Sequence, residues 1–216
     1  MEEKEEIRVK DLVGKLKVDE ITPKEALKEL QKRGLVEHER WEIIPWVIYF
    51  ILWLPLNFMF AGQLPVKAPQ ILAMSVRHLW FAIHFPLIVI CISIVLSGFG
   101  IYLGIRTTRM HYKRGGLKHD ETIILFKDGP YAVIRHPAVL GTLILPILLP
   151  IILSKYVPFT PLSVTAIIVM IVYMHYGVRL EEKLDIAKWG NEYLQYMKEV
   201  PRFNFITGLR NLSKKR

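Results

Sequence analysis

Four stretches of this chain, roughly residues 43–62, 79–105, 138–154 and 159–178, run almost without charge. An apolar run of about 18 residues or more is long enough to cross the hydrocarbon of a bilayer. No water reaches backbone N–H and C=O groups there, so each stretch must pair them internally, as a helix does. The chain therefore reads as an all-α integral membrane protein with about four transmembrane helices. Leu64-Pro65-Val66-Lys67-Ala68-Pro69, just ahead of Gln70, leaves room for a fifth, partial crossing.

The charged residues give that reading a direction. Lysine and arginine number ten before the first stretch, two in the first loop, seven in the second, one in the third and nine after the last. The count alternates at each crossing. By the positive-inside rule both termini and the 106–137 loop are cytoplasmic. The net charge of +9 flanks the apolar stretches and builds no separate basic fold. It points to anionic lipid headgroups and not to nucleic acid. A single cysteine, Cys91, precludes an intrachain disulfide and reads as a small buried apolar residue.

Three parts follow. Residues 1–40 are a cytoplasmic segment with a short helix, 41–205 the membrane domain and 206–216 a basic tail. In the first part, Thr22-Pro23-Lys24-Glu25 has the form of a capping box with proline at the first helical position. Ala26, Leu27 and Leu30 make a narrow apolar stripe, and Gly34 is a C-terminal stop. Pro45 and Pro55 are expected to kink the first span. Residues 154–158 are short enough to force the last two spans into a hairpin. Residues 181–199 are expected to form an interfacial helix, with Trp189, Tyr193 and Tyr196 at the headgroups. Gly190 weakens that helix and Pro201 ends it. Gly98, Gly100 and Gly104 read as helix-packing positions, and Asn57 as interhelical glue.

The polar residues that could carry chemistry gather at the cytoplasmic ends. Pro137 suits the first position of the third span, which places His136 near the N-cap. Free N–H groups at that helix start, with Arg135 beside them, can hold a carboxylate. Gly141, one turn on, permits close backbone approach. Glu181 and Glu182 end the fourth span on the same side and could accept from ribose hydroxyls or an ammonium group. Carboxylates there oppose the helix dipole. His175, Arg179 and Glu182 share a helix face, and His175 is an ionisable group inside a span. His111 and His119 are loop residues without metal-ligand spacing.

Gly129-Pro130-Tyr131, with Arg135-His136-Pro137-Ala138-Val139-Leu140-Gly141, resembles the signature of the membrane methyltransferases. These include isoprenylcysteine carboxyl methyltransferase, its prokaryotic relatives and the phospholipid N-methyltransferases. Glu181-Glu182-Lys183-Leu184, Gly190, Tyr193, Tyr196 and Val200-Pro201-Arg202-Phe203 resemble that family's C-terminal signature. The resemblance covers roughly residues 98–205. It implies S-adenosylmethionine as methyl donor, bound on the cytoplasmic side, and a lipophilic acceptor arriving from the lipid. Tyr131, Arg135, His136, Pro137, Gly141, Glu181 and Glu182 would line the cofactor pocket. Arg202 would close it or meet the substrate. Direct methyl transfer needs alignment more than acid–base help. A carboxylate acceptor needs no base, whereas an amine or thiol could use His175 or Glu182. The family often has tyrosine where this chain has Val139. Two other readings stay open: an NADPH-dependent sterol-type reductase relative, and a non-catalytic membrane scaffold.

Overall fold

A computed structural model of the chain describes residues 9–18, 20–35, 43–56, 83–113 and 124–214. Asn57, the 64–70 segment and His119 lie outside these residues. The described residues are helical: α1 (Lys10–Lys17), α2 (Pro23–Lys32), α3 (Ile43–Ile51), α4 (Leu87–Lys113), α5 (Pro137–Ile152), α6 (Pro161–Trp189), α7 (Asn191–Glu199) and α8 (Phe205–Lys214). A π-helical turn, Leu52–Leu56, follows α3, and a 3₁₀ turn, Gly129–Ala132, precedes α5. Among the described residues, extended pairing is limited to one bridge, Ile83 to Phe159.

Among the described residues, α4 up to His111 and α6 are long and apolar enough to span a membrane. At 27 and 29 residues, α4 and α6 are each roughly 40 Å long against about 30 Å of hydrocarbon. Only 28% and 22% of their most apolar windows are buried. A core helix of a water-soluble protein would be mostly covered. Here Leu87, Ile88 and Val95 on α4 and Val172 on α6 stand out as exposed apolar side chains. Exposed apolar surface of this kind marks a membrane or protein-interaction face. The α3 and α5 helices are apolar but shorter.

The chain divides into two compact units. One comprises Met1–His38, Tyr102–Leu140 and Gly177–Arg216; the other comprises Glu39–Ile101 and Gly141–Tyr176. The second unit is the apolar one. Its core joins Tyr49 and Trp53 to Val157, Ala166 and Met170. Pro45 is the third described residue of α3 and is buried. The internal prolines that matter are Pro146 and Pro150 of α5. Pro150 has no N–H for the carbonyl four residues earlier, that of Pro146. The Tyr49 hydroxyl donates to this carbonyl instead, at 2.7 Å. Of the three α4 glycines, only Gly100 meets a neighbour: a methyl group there would lie 3.0 Å from the Gly141 carbonyl oxygen. Gly98 and Gly104 face open space, and Cys91 is exposed rather than buried.

The turn between α5 and α6 closes on Leu153, whose carbonyl accepts from Tyr156 and Val157, both at 2.8 Å. Thr160 then caps α6. Its hydroxyl accepts from the Leu162 N–H, while the Thr160 N–H donates to the Ser163 hydroxyl, both at 3.2 Å. This is the Thr-Pro device of α2 repeated with serine in place of glutamate.

The first unit carries the polar elements. The Thr22–Glu25 capping box forms, and Gly34 takes a left-handed φ of 68°. The N-terminal segment holds a second helix, α1. Val9 and Leu12 pack with Ala26, Leu30 and Leu35, and this cluster rests on Ala187 of α6. Arg33 clamps the pair through both oxygens of Asp11, at 3.1 and 2.9 Å.

Three boundaries differ from expectation. The fourth span does not end near residue 178, because α6 runs on to Trp189. The helix expected over 181–199 is broken at Gly190, whose φ of 53° favours glycine. The chain turns there, and α7 buries Tyr193 and Tyr196 with Val200, against Leu125 and Ile186. These tyrosines form a small core and are not headgroup anchors. The basic tail over 206–216 is largely the helix α8.

Replacing Tyr49 with phenylalanine strands the Pro146 carbonyl. Thermal unfolding of the detergent-purified variant should show a loss of about 1–3 kcal/mol, the cost of a buried unpaired polar group.

Candidate functional site: a buried arginine–histidine–glutamate cluster

The last turns of α6 present Val178, Glu182 and Asp185, at i, i+4 and i+7, on one buried face. A carboxylate on such a face must be paired, since burying a lone charge is prohibitive. Glu182 has three cationic partners. Arg202 reaches both of its oxygens in a fork, its Nε donating to Oε1 at 3.0 Å and its second nitrogen to Oε2. Arg135 lies 2.9 Å from Oε1, and His136 Nε2 lies 3.3 Å from the same atom. The other ring nitrogen of His136, Nδ1, faces Glu181 at 3.1 Å. Side-chain exposure is 5% for Glu182, 4% for His136 and 8% for Arg135, against 26% for Arg202 and 37% for Glu181.

Backbone demands set this convergence. Pro137 begins α5, and the His136 carbonyl accepts the first helical bond, from Leu140 at 3.0 Å. Arg135 N–H donates to the Pro201 carbonyl at 3.0 Å, which ties the segment before α5 to the segment after α7. The Arg135 guanidinium also donates to the Met197 carbonyl at 3.0 Å. That carbonyl is in the last turn of α7, where a helix lacks internal donors and favours a cation. Asn211 of α8 serves Glu199 in the same way, at 3.0 Å. The Tyr196 hydroxyl donates to the Tyr131 carbonyl at 2.7 Å. Gly208 of α8 presses so closely on Val133 that a methyl group there would overlap the Val133 carbonyl.

Tyr131 itself points elsewhere. Its hydroxyl pairs with His111 Nε2 at 2.7 Å, and both rings stack with Phe126. His111 is thus a buried residue of α4 and not a loop histidine. The reason is that α4 continues to Lys113, about two turns beyond the apolar stretch. Helix continuation also revises the dipole argument for Glu181 and Glu182. Both sit well before the end of α6, so pairing and not the helix dipole governs them.

His175 lies half-buried on α6 and Gly141 buried on α5, both in the other compact unit. The cluster itself is built wholly from the first unit. Arg179 is exposed, and the cations on Glu182 are Arg135, His136 and Arg202. Sequence reasoning missed Asp185. It is buried and bonded to the Tyr193 hydroxyl, whose pKa is raised first by burial and then by the charge of Asp185. The spacing of three from Glu182 was the available signal.

Burial of the His136 ring pulls its pKa down, but Glu181 and Glu182 outweigh this and raise it from 6.5 to about 9. His136 is therefore an imidazolium at neutral pH. The cluster presents three cationic donors around one saturated carboxylate, with Glu181 more open to solvent. Arg135 Nε is buried with no acceptor among the described residues.

Two outcomes test this electrostatic account. A raised folded-state pKa contributes stability that is full below about 6.5 and lost as pH rises through about 9. Unfolding of the wild type and of His136→Gln over pH 6–10 should therefore show a stability gap that closes at the alkaline end. Glu182→Ala leaves Arg135 and His136 buried without their counter-charge. It should cost about 3–5 kcal/mol in thermal unfolding, as the breaking of buried ion pairs does.

No protein-family model matches the chain, and no curated protein or solved structure matches it either.

Proposed function

We propose that the chain is an integral membrane methyltransferase that uses S-adenosylmethionine. Its acceptor is lipophilic, either isoprenylcysteine carboxylate-like or a lipid, and is methylated at the cytoplasmic face. One observation carries this reading. The two sequence segments that resemble the membrane methyltransferases, around 129–141 and 181–203, meet in a single buried cluster through Arg135, His136, Glu182 and Arg202. The alternation of basic residues supports a multi-pass arrangement with both termini cytoplasmic.

The residues fit the donor in kind. S-adenosylmethionine, when bound, supplies a methyl group already activated on sulfur. Arg202 is a donor for its carboxylate, and the buried Arg135 Nε lacks an acceptor. Glu181, the more exposed carboxylate, can accept from an ammonium group or ribose hydroxyls. Glu182, with cations on both oxygens, is a poor base. In this reading it positions Arg135, His136 and Arg202. A carboxylate acceptor then needs no proton transfer. The main work of the chain is to orient donor and acceptor and to exclude water.

Titration calorimetry of the purified protein with S-adenosylhomocysteine should show binding. Arg202→Ala should weaken it about 10- to 100-fold, the loss expected for a charge-assisted hydrogen bond. Labelled S-adenosylmethionine should transfer its methyl group to a component of a membrane extract. No heat with S-adenosylhomocysteine, or thermal stabilisation by NADPH in its place, overturns the reading.

A further inference from the structure

We infer that α8 is a docking element for an anionic bilayer surface, a role independent of methyl transfer. The helix is anchored by its inner face: Gly208 is buried against Val133, and Asn211 bonds the end of α7. Asn204 caps it, its side-chain oxygen accepting from the Thr207 N–H at 3.0 Å. The opposite face carries Ile206 and Leu209, three residues apart, with Phe205 beside them. Ile206 is 80% exposed and Leu209 45%. A short helix that turns such residues outward gains nothing from water.

The flank identifies the occupant. Arg210 and Lys214, four residues apart, border the apolar stripe, and Lys215 and Arg216 follow in sequence. The helix, Phe-Ile-Thr-Gly-Leu-Arg-Asn-Leu-Ser-Lys, contains no acidic residue. An apolar stripe edged by cations lies in the headgroup zone of an anionic membrane. The same chain supplies two helices long and apolar enough to hold it at a bilayer. A second copy docking by this face would bring like charges together, and nucleic acid would leave the apolar stripe in water.

The test uses the full chain in the Cys91→Ser background, with a nitroxide on Ile206→Cys or Thr207→Cys, one copy per lipid nanodisc. In discs containing phosphatidylglycerol, the label at 206 should be accessible to oxygen and shielded from a water-soluble nickel complex. The label at 207, on the polar side, should stay open to nickel. In pure phosphatidylcholine the shielding at 206 should fall. Arg210→Gln and Lys214→Gln should each reduce the ratio of shielded to open label about fivefold in the anionic discs. The melting temperature of each variant confirms that it is folded. Nickel access at 206 in both lipids, equal shielding in both, or spin–spin broadening between copies in mixed detergent micelles overturns the proposal.

Discussion

A helix that runs out of internal partners must find donors elsewhere, and this demand organises the molecule. Pro150 deprives the Pro146 carbonyl, and Tyr49 supplies a hydroxyl. The end of α7 exposes carbonyls at Met197 and Glu199, and Arg135 and Asn211 supply them. The Tyr131 carbonyl, in the turn before α5, takes the Tyr196 hydroxyl. In three of these four cases the donor lies more than 60 residues away along the chain. Satisfying backbone groups thereby sets the tertiary arrangement, and the position of Arg135 follows from it.

Around that frame the charges divide their labour. Glu182 gathers Arg135, His136 and Arg202, while Glu181 holds the far side of the His136 ring. The cluster is costly to build, because each ion has left water. It is kept by mutual pairing and by the neutral donors and acceptors of nearby backbone. The payoff is positional: three cationic side chains are fixed with their rotamers already chosen.

Much of this was legible before any coordinates. Apolar runs foretold the long helices, Thr22-Pro23-Lys24-Glu25 foretold a capped helix, and Pro137 foretold the start of α5. The meeting of Arg135 and His136 with the two glutamates followed from placing both segments at the same membrane face. What escaped was punctuation and ending. Apolar content marks what can sit in lipid, not where a helix stops, so α4 and α6 outlasted their apolar stretches. Gly190 read as a weak helical residue, although its positive φ makes it a corner. Asp185 drew no reading at all, because burial of a polar residue depends on what folds over it. The α1 helix lacks a side-chain cap, so no local signal marked its start.

The fork between Glu182 and Arg202 spans 20 residues of chain. At a synthesis rate of roughly 5–20 residues per second, the carboxylate is made about 1–4 s ahead of Arg202. During that interval Arg135 and His136, made earlier, are the cations at hand. In order of synthesis Arg135 and His136 come first, Glu182 next and Arg202 last.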